Sequence, residues 1–244
     1  MTTPSSPYHV ESFDDAERAV LGRFFTNLDG PVFAIVNLPE VVKGALFARY
    51  SRSPKSVRRL FLDEFYTQPE IGIAAMAEQL QDADPTVGIQ RAEDLYQRVF
   101  SEYGDDSVAQ LGGVHLACEQ SSNLLTKVLE WGRLASYLEQ STRYIFYDQK
   151  LGGRYRYLVP PEIEASPHVG EYRALLDDIF ATYSSLTEEV SDFYRRLYPQ
   201  QESDSDFVYR STIRAKACDD LRGLLPAATT SNVGIYGSGQ AYEA

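Results

Sequence analysis

Cysteine, histidine and long apolar runs are all scarce in this chain of 244 residues. The two cysteines, Cys118 and Cys218, stand far apart and without histidines at ligand spacing, which argues against both a disulfide framework and a zinc site. Each reads as a small apolar packing residue. The three histidines, His9, His115 and His168, sit in unrelated contexts, and none points to a catalytic imidazole. No eighteen-residue apolar run occurs, and the opening MTTPSSPYHV is polar with no basic cluster. Neither a membrane span nor a signal peptide is therefore read, and a cytoplasmic protein is the expectation. Positive charge is also short: 23 Lys and Arg stand against 35 Asp and Glu, a formal −12. That balance disfavours broad binding to nucleic acid or to an anionic membrane surface, so any anionic ligand must be held by local arginines.

What is present is apolar and aromatic. Hydrophobic residues make up 43% of the chain, enough for one good-sized core or two unequal lobes, and 17 tyrosines suit a core with wet edges or a subunit interface. The most informative stretch is Trp131 to Tyr144, WGRLASYLEQSTRY. It gathers Arg133, Arg143, Glu139, Ser136, Ser141 and Thr142 just after an apolar helical run. Guanidinium forks match phosphate oxygens, and hydroxyls with free backbone N–H groups complete such a cradle, so a nucleotide phosphate is the natural guest. The same residues also allow a plainer reading, in which Arg133 and Glu139 form a surface ion pair and Arg143 opens a strand.

This stretch resembles, in register and without a gap, the signature R-H-R-x-x-S-x-N-E-x-S-x-R of the flavin-dependent thymidylate synthases. Arg133, Ser136, Glu139, Ser141 and Arg143 fall on five of the eight fixed positions, while Trp131, Gly132 and Leu138 replace an arginine, a histidine and an asparagine. Ala48-Arg49-Tyr50-Ser51 resembles the family's upstream A-R-x-S segment, whose serine approaches the flavin. Gly104-Asp105-Asp106-Ser107, followed by Val108, resembles its flavin-side glycine-histidine-acid-serine segment, with aspartate where the histidine belongs. Arg222 in LRGLLP takes the place of the family's R-x-x-L-P arginine, which reaches deoxyuridylate from a neighbouring subunit; its plainer reading is a helix C-terminal arginine facing the dipole.

The resemblance implies dUMP as substrate, methylated to dTMP with methylenetetrahydrofolate as carbon donor and NADPH-reduced FAD as hydride source. It implies flavin contacts at Ser51, Val108, Arg133 and Glu139, and nucleotide contacts at Glu139, Gln140, Ser141, Thr142, Arg143 and Arg222. No catalytic base is named, because the family's ring-ionising arginine would lie beyond Ala244. A homo-oligomer, tetrameric in the family, is implied with it. The implied fold is α+β, several helices with a small mostly antiparallel sheet, in a single domain over 1–244 that stops short of the family's last helix. The alternative is a non-catalytic relative that keeps the fold, or one half of a longer tandem protein.

Local patterns fill in the rest. Residues 1–10 are expected to be loose, 13–28 helical, 32–39 a short apolar piece and 39–50 helical. Arg52, Lys55, Arg58 and Arg59 would share one basic face if helical, neutralised by Asp63 and Glu64 if that face is merely solvated. Helices are predicted at 70–83 and 86–103, with a turn at 104–107. Val108 to Glu119 is ambiguous, Gly112-Gly113 being poor in a helix interior while 114–118 would serve as a strand. A helix follows from about 121–123 to 131 with Leu124, Leu125, Val128 and Leu129 buried. Tyr144 to Tyr147 reads as a strand, 169–197 as one long amphipathic helix with a core-facing stripe, 207–225 as a helix and 229–236 as a strand, with a helix starting at 238.

Overall fold

The computed structural model describes residues 8–68, 73 and 112–243. The architecture is α+β: helices accompany a four-stranded sheet in the order β1-β2-β4-β3. The strands are β1 (Val32–Ile35), β2 (Gly113–Ser122), β3 (Ser136–Glu139) and β4 (Thr230–Ser238). β1 and β2 run antiparallel, with Val32 opposite Cys118 and Ile35 opposite His115. The helices are α1 (Asp15–Leu21), α2 (Glu40–Tyr50), α3 (Val57–Phe61), α4 (Asn123–Leu129), α5 (Pro161–Glu164), α6 (Val169–Leu197), α7 (Asp206–Leu221) and α8 (Gly239–Glu243). The predicted helices at 70–83 and 86–103 and the turn at 104–107 lie outside the described residues, apart from the helical, buried Ile73.

The chain divides into two compact units. The larger takes Val10–Glu119, Val128–Leu138 and Val233–Ala244. Its core gathers Leu21, Phe24, Phe25, Phe33, Ile35, Leu46, Tyr50, Val57, Leu60 and Phe61. α1 begins on a capping box, in which the Asp14 carboxylate accepts from the Glu17 N–H and the Glu17 carboxylate accepts from the Asp14 N–H. It is shorter than predicted: Gly22 closes it, and Phe24 and Phe25 enter the core from the following turn. On β2 the burial alternates with period two, which turns His115, Ala117 and Glu119 inward. Gly113 is needed where it stands, since a Cβ there would meet the Tyr236 hydroxyl at 2.6 Å.

An inward glutamate requires a partner, and Arg58 supplies it. Arg58 is 0% exposed, with Nη2 3.1 Å from Glu119 Oε2 and its guanidinium 4.3 Å from the Phe33 ring centre. Glu119 Oε1 also accepts from the Val57 N–H. This corrects the expectation of one basic face at 52–59. Ser56 caps a new helix after Pro54, and the turn between breaks the face. Three nearby cations pair with carboxylates: Lys55 with Asp63 and Glu64, Arg59 with Glu11 and Glu17, and Arg49 with Glu64.

The smaller unit takes Met1–His9, Gln120–Lys127 and Glu139–Asn232. The long helix α6 runs over the predicted residues and packs against α7, around Tyr147, Phe180, Tyr183 and Leu221. Its stripe is core only in part: Leu176, Phe180 and Tyr183 are buried, while Leu175, Phe193 and Leu197 are exposed. Two further expectations are corrected. Tyr144 to Tyr147 is a turn followed by irregular chain rather than a strand, with Ile145 and Tyr147 buried as side-chain anchors. On α4, Leu124, Leu125 and Val128 are exposed rather than buried, and the buried residue is Thr126. Near the start of the described chain, the His9 N–H donates to Gln120 Oε1 and the His9 carbonyl accepts from Gln120 Nε2.

Candidate functional site

Glu139 to Arg143 begins as strand, not as the loop its hydroxyls suggest. β3 spans Ser136–Glu139 at the edge of the sheet. The Gln140 N–H donates to the Asn232 carbonyl at 2.7 Å, and the Ser231 hydroxyl donates to the Gln140 carbonyl at 3.2 Å. Beyond that anchor the chain turns. The Tyr144 N–H donates to the Ser141 carbonyl, and the Arg143 N–H donates to the Ser141 hydroxyl, both at 3.2 Å. This is the local turn that serine forms readily, and it fixes where Arg143 leaves the backbone. Thr142 lies half-buried within it.

Three contacts then place the side chains. Glu139 accepts from the Thr126 hydroxyl at 2.7 Å and from Lys127 Nζ at 2.6 Å, joining the end of β3 to α4. Gln140 is buried, and its Oε1 accepts from Arg156 Nη2 at 2.7 Å; that guanidinium lies 4.2 Å from the Tyr147 ring centre. Arg143 forks onto Asp219 of α7, Nε to Oδ1 at 2.9 Å and Nη2 to Oδ2 at 3.0 Å. Arg222, in the 3-10 turn Arg222–Leu224 that follows α7, reaches the same Oδ1 at 3.2 Å. The Arg143 hydrogen bond holds the Asp219 carboxyl below the usual carboxylate range. Within one chain, the two arginines expected at the nucleotide thus meet at one carboxylate, and Glu139 to Thr142 lead up to them.

The remaining expected residues fall elsewhere. Ser51 and Arg133 belong to the larger unit. Ser51 is buried and donates to the Ala48 carbonyl at 2.9 Å, whereas Arg133, Ser136 and Trp131 are exposed. Val108 lies outside the described residues. The expected Arg133–Glu139 ion pair is replaced by the Lys127 contact, and Arg143 stands in a turn rather than opening a strand. For FAD the described donors fit poorly. Ser51 turns its hydroxyl to its own helix and Glu139 is committed to Thr126 and Lys127, which leaves Arg133 as the exposed donor of the expected set. The donor set suits a phosphate better than an isoalloxazine.

Comparison with known proteins bears on the chain as a whole. Residues 51–243 match the family described as thymidylate synthase complementing protein. The chain belongs to that family. A UPF0159 protein of Chlamydia muridarum is 46% identical over 232 residues, covering 95% of this chain and 43% of the relative. A UPF0159 protein of Thermoplasma acidophilum is 32% identical over 82% of this chain and 41% of the relative. A flavin-dependent thymidylate synthase of Clostridium tetani is 25% identical over 70% of this chain and 65% of the relative. This family member thus spans less than half the length of the UPF0159 relatives it matches.

Sequence reasoning missed the partners that hold the family signature in place: Thr126, Lys127, Arg156, Asn232 and Asp219. One had a readable signal, because Asp219 and Arg222 are three residues apart at the end of a predicted helix and so share a face. Thr126 and Asn232 carried none, since each acts through a hydrogen bond to residues distant in sequence. Among the described residues no group of His, Cys, Asp and Glu could hold a metal ion, and no helix is long and apolar enough to cross a membrane.

Proposed function

We propose that this chain holds deoxyuridylate in a thymidylate synthase of the flavin-dependent kind, with Arg143 and Arg222 on the 5′-phosphate and Ser141, Thr142 and the Glu139–Gln140 backbone shaping its approach. The observation that carries the reading is the convergence of both guanidinium groups on one carboxylate, which leaves their donors facing a single anion-sized position. In such an enzyme dUMP is methylated to dTMP with methylenetetrahydrofolate, and NADPH-reduced FAD supplies the hydride. This chain's contribution is to bind and orient the nucleotide, with a flavin-dependent thymidylate synthase-like fold around it. Assembly as a cytoplasmic homotetramer belongs to the same reading. Its support is the exposed face of α4, where Leu124, Leu125 and Val128 stand in water.

Calorimetric titration of the full chain with dUMP tests the site. Arg143→Ala should weaken binding roughly ten- to a hundredfold, the effect of losing charge-assisted hydrogen bonds. Unchanged affinity removes Arg143 from the phosphate.

One observation favours a second reading: the chain spans 43% of its Chlamydia muridarum relative. In that reading it is a non-catalytic member, or the nucleotide-holding half of a longer tandem protein whose flavin site lies in the other part. Retention of a flavin absorption band after loading with FAD and desalting decides for the complete enzyme, and loss of the band decides for the second reading.

A further inference from the structure

The Arg143 and Arg222 donors are already occupied. Asp219 fills the Arg143 fork with both oxygens and shares one of them with Arg222. All three side chains are part-exposed, at 52%, 35% and 45%. No other hydrogen bond among the described residues holds the Asp219 carboxylate, whereas its neighbour Asp220 accepts from the Tyr194 hydroxyl at 2.6 Å. The Asp219 side chain is therefore the movable member of the trio, able to swing into water about its own Cα–Cβ bond. A carboxylate in a guanidinium fork also uses the donor directions that two phosphate oxygens would use.

We propose that Asp219 is a placeholder for a phosphate monoester: its carboxylate occupies the Arg143–Arg222 donors in the empty protein, and the ligand binds by displacing it. The proposal rests on the phosphate-site reading above and adds the residue that sets the strength of that site. An exposed pair of this kind is weak, so a phosphate carrying close to two charges displaces a carboxylate carrying one. A singly charged or neutral ligand gains little from the exchange. Asp219 thus sets how tightly the site holds a phosphate, while keeping the two arginines from repelling each other when it is empty.

The test is calorimetric titration of the full chain and of Asp219→Asn, Asp219→Ala and Arg143→Ala with dUMP and with deoxyuridine, each variant's fold being checked by circular dichroism. Asp219→Asn and Asp219→Ala should bind dUMP roughly two- to fivefold more tightly, the competing effect of an exposed ion pair, and deoxyuridine no differently. Unchanged or weaker dUMP binding in both, with Arg143→Ala still weakening it, overturns the placeholder and makes Asp219 a positioning residue for Arg143. If Arg143→Ala leaves dUMP binding unchanged, the phosphate-site reading itself fails, and that outcome is distinct from the first.

Discussion

Replacing Arg58 with methionine should cost this protein a large part of its stability. Arg58 is 0% exposed and Glu119 4%, and the two meet at 3.1 Å. The arginine also donates to the Asn27 carbonyl at 3.2 Å and lies over the Phe33 ring. Methionine fills much of the volume but leaves the buried Glu119 carboxyl without the Arg58 guanidinium. Removing one partner of a buried pair costs about 3 to 5 kcal/mol. Urea unfolding followed by circular dichroism, with a slope of about 2 to 3 kcal/mol per molar, should register this as a midpoint lowered by roughly 1 to 2.5 M. Arg58→Met/Glu119→Gln should recover part of the loss. A neutral glutamine still accepts from the Val57 N–H and the Tyr50 hydroxyl, as Glu119 does at 3.0 and 3.3 Å. A loss below about 1 kcal/mol in the single variant, or a double variant no better than the single, would refute the assignment of Arg58 to the core.

Tyr147→Phe should leave stability unchanged or raise it by up to about 1 kcal/mol, because its buried hydroxyl has no hydrogen-bond partner among the described residues; a melting temperature clearly below wild type would reveal a bond that the substitution breaks. His115, between the Phe47 and Tyr236 rings, has its pKa lowered by burial despite the Glu40 carboxylate 3.5 Å away. Between its folded value and the ordinary 6.5 the unfolded chain therefore binds more protons, so stability falls as pH drops through that window and levels off below it. His115→Asn should flatten the melting-temperature profile as the pH falls below the ordinary 6.5, and parallel profiles for the two proteins would count against it.

Much of the fold was legible where burial follows a single period. The α6 register was readable from Tyr172, Leu176, Phe180 and Tyr183. α2 and β4 were less legible, since α2 buries Lys43, Leu46, Phe47 and Tyr50 while Val41, Ala45 and Ala48 stand exposed, and β4 is buried almost throughout. The end of α6 was over-read, because apolar periodicity at Phe193 and Leu197 tells which face they share and not whether anything covers it. α4 failed for the same reason. Tyr144 to Tyr147 has strand composition, yet the Ser141 turn diverts the chain before it can pair. At the candidate site the signature pointed to Arg143 and the LRGLLP segment to Arg222, but Asp219 was legible only as an acid one helical turn before an arginine. Arg58 was misplaced because a basic cluster counted by spacing does not reveal that one member is matched by an inward glutamate sixty-one residues later.

Asn232 carries a consequence for anyone who would move this motif. Its side chain accepts from the Gln120 N–H at 2.8 Å while its carbonyl accepts from the Gln140 N–H at 2.7 Å, so one residue pins two distant passes of chain. Transplanting Trp131 to Tyr144 into a foreign scaffold would carry the arginines and hydroxyls across and leave behind Asn232, Thr126, Arg156 and Asp219, which give them their geometry. The portable unit is a set of strands and helix ends, and a redesign of the motif has to start from those supports before touching the arginines.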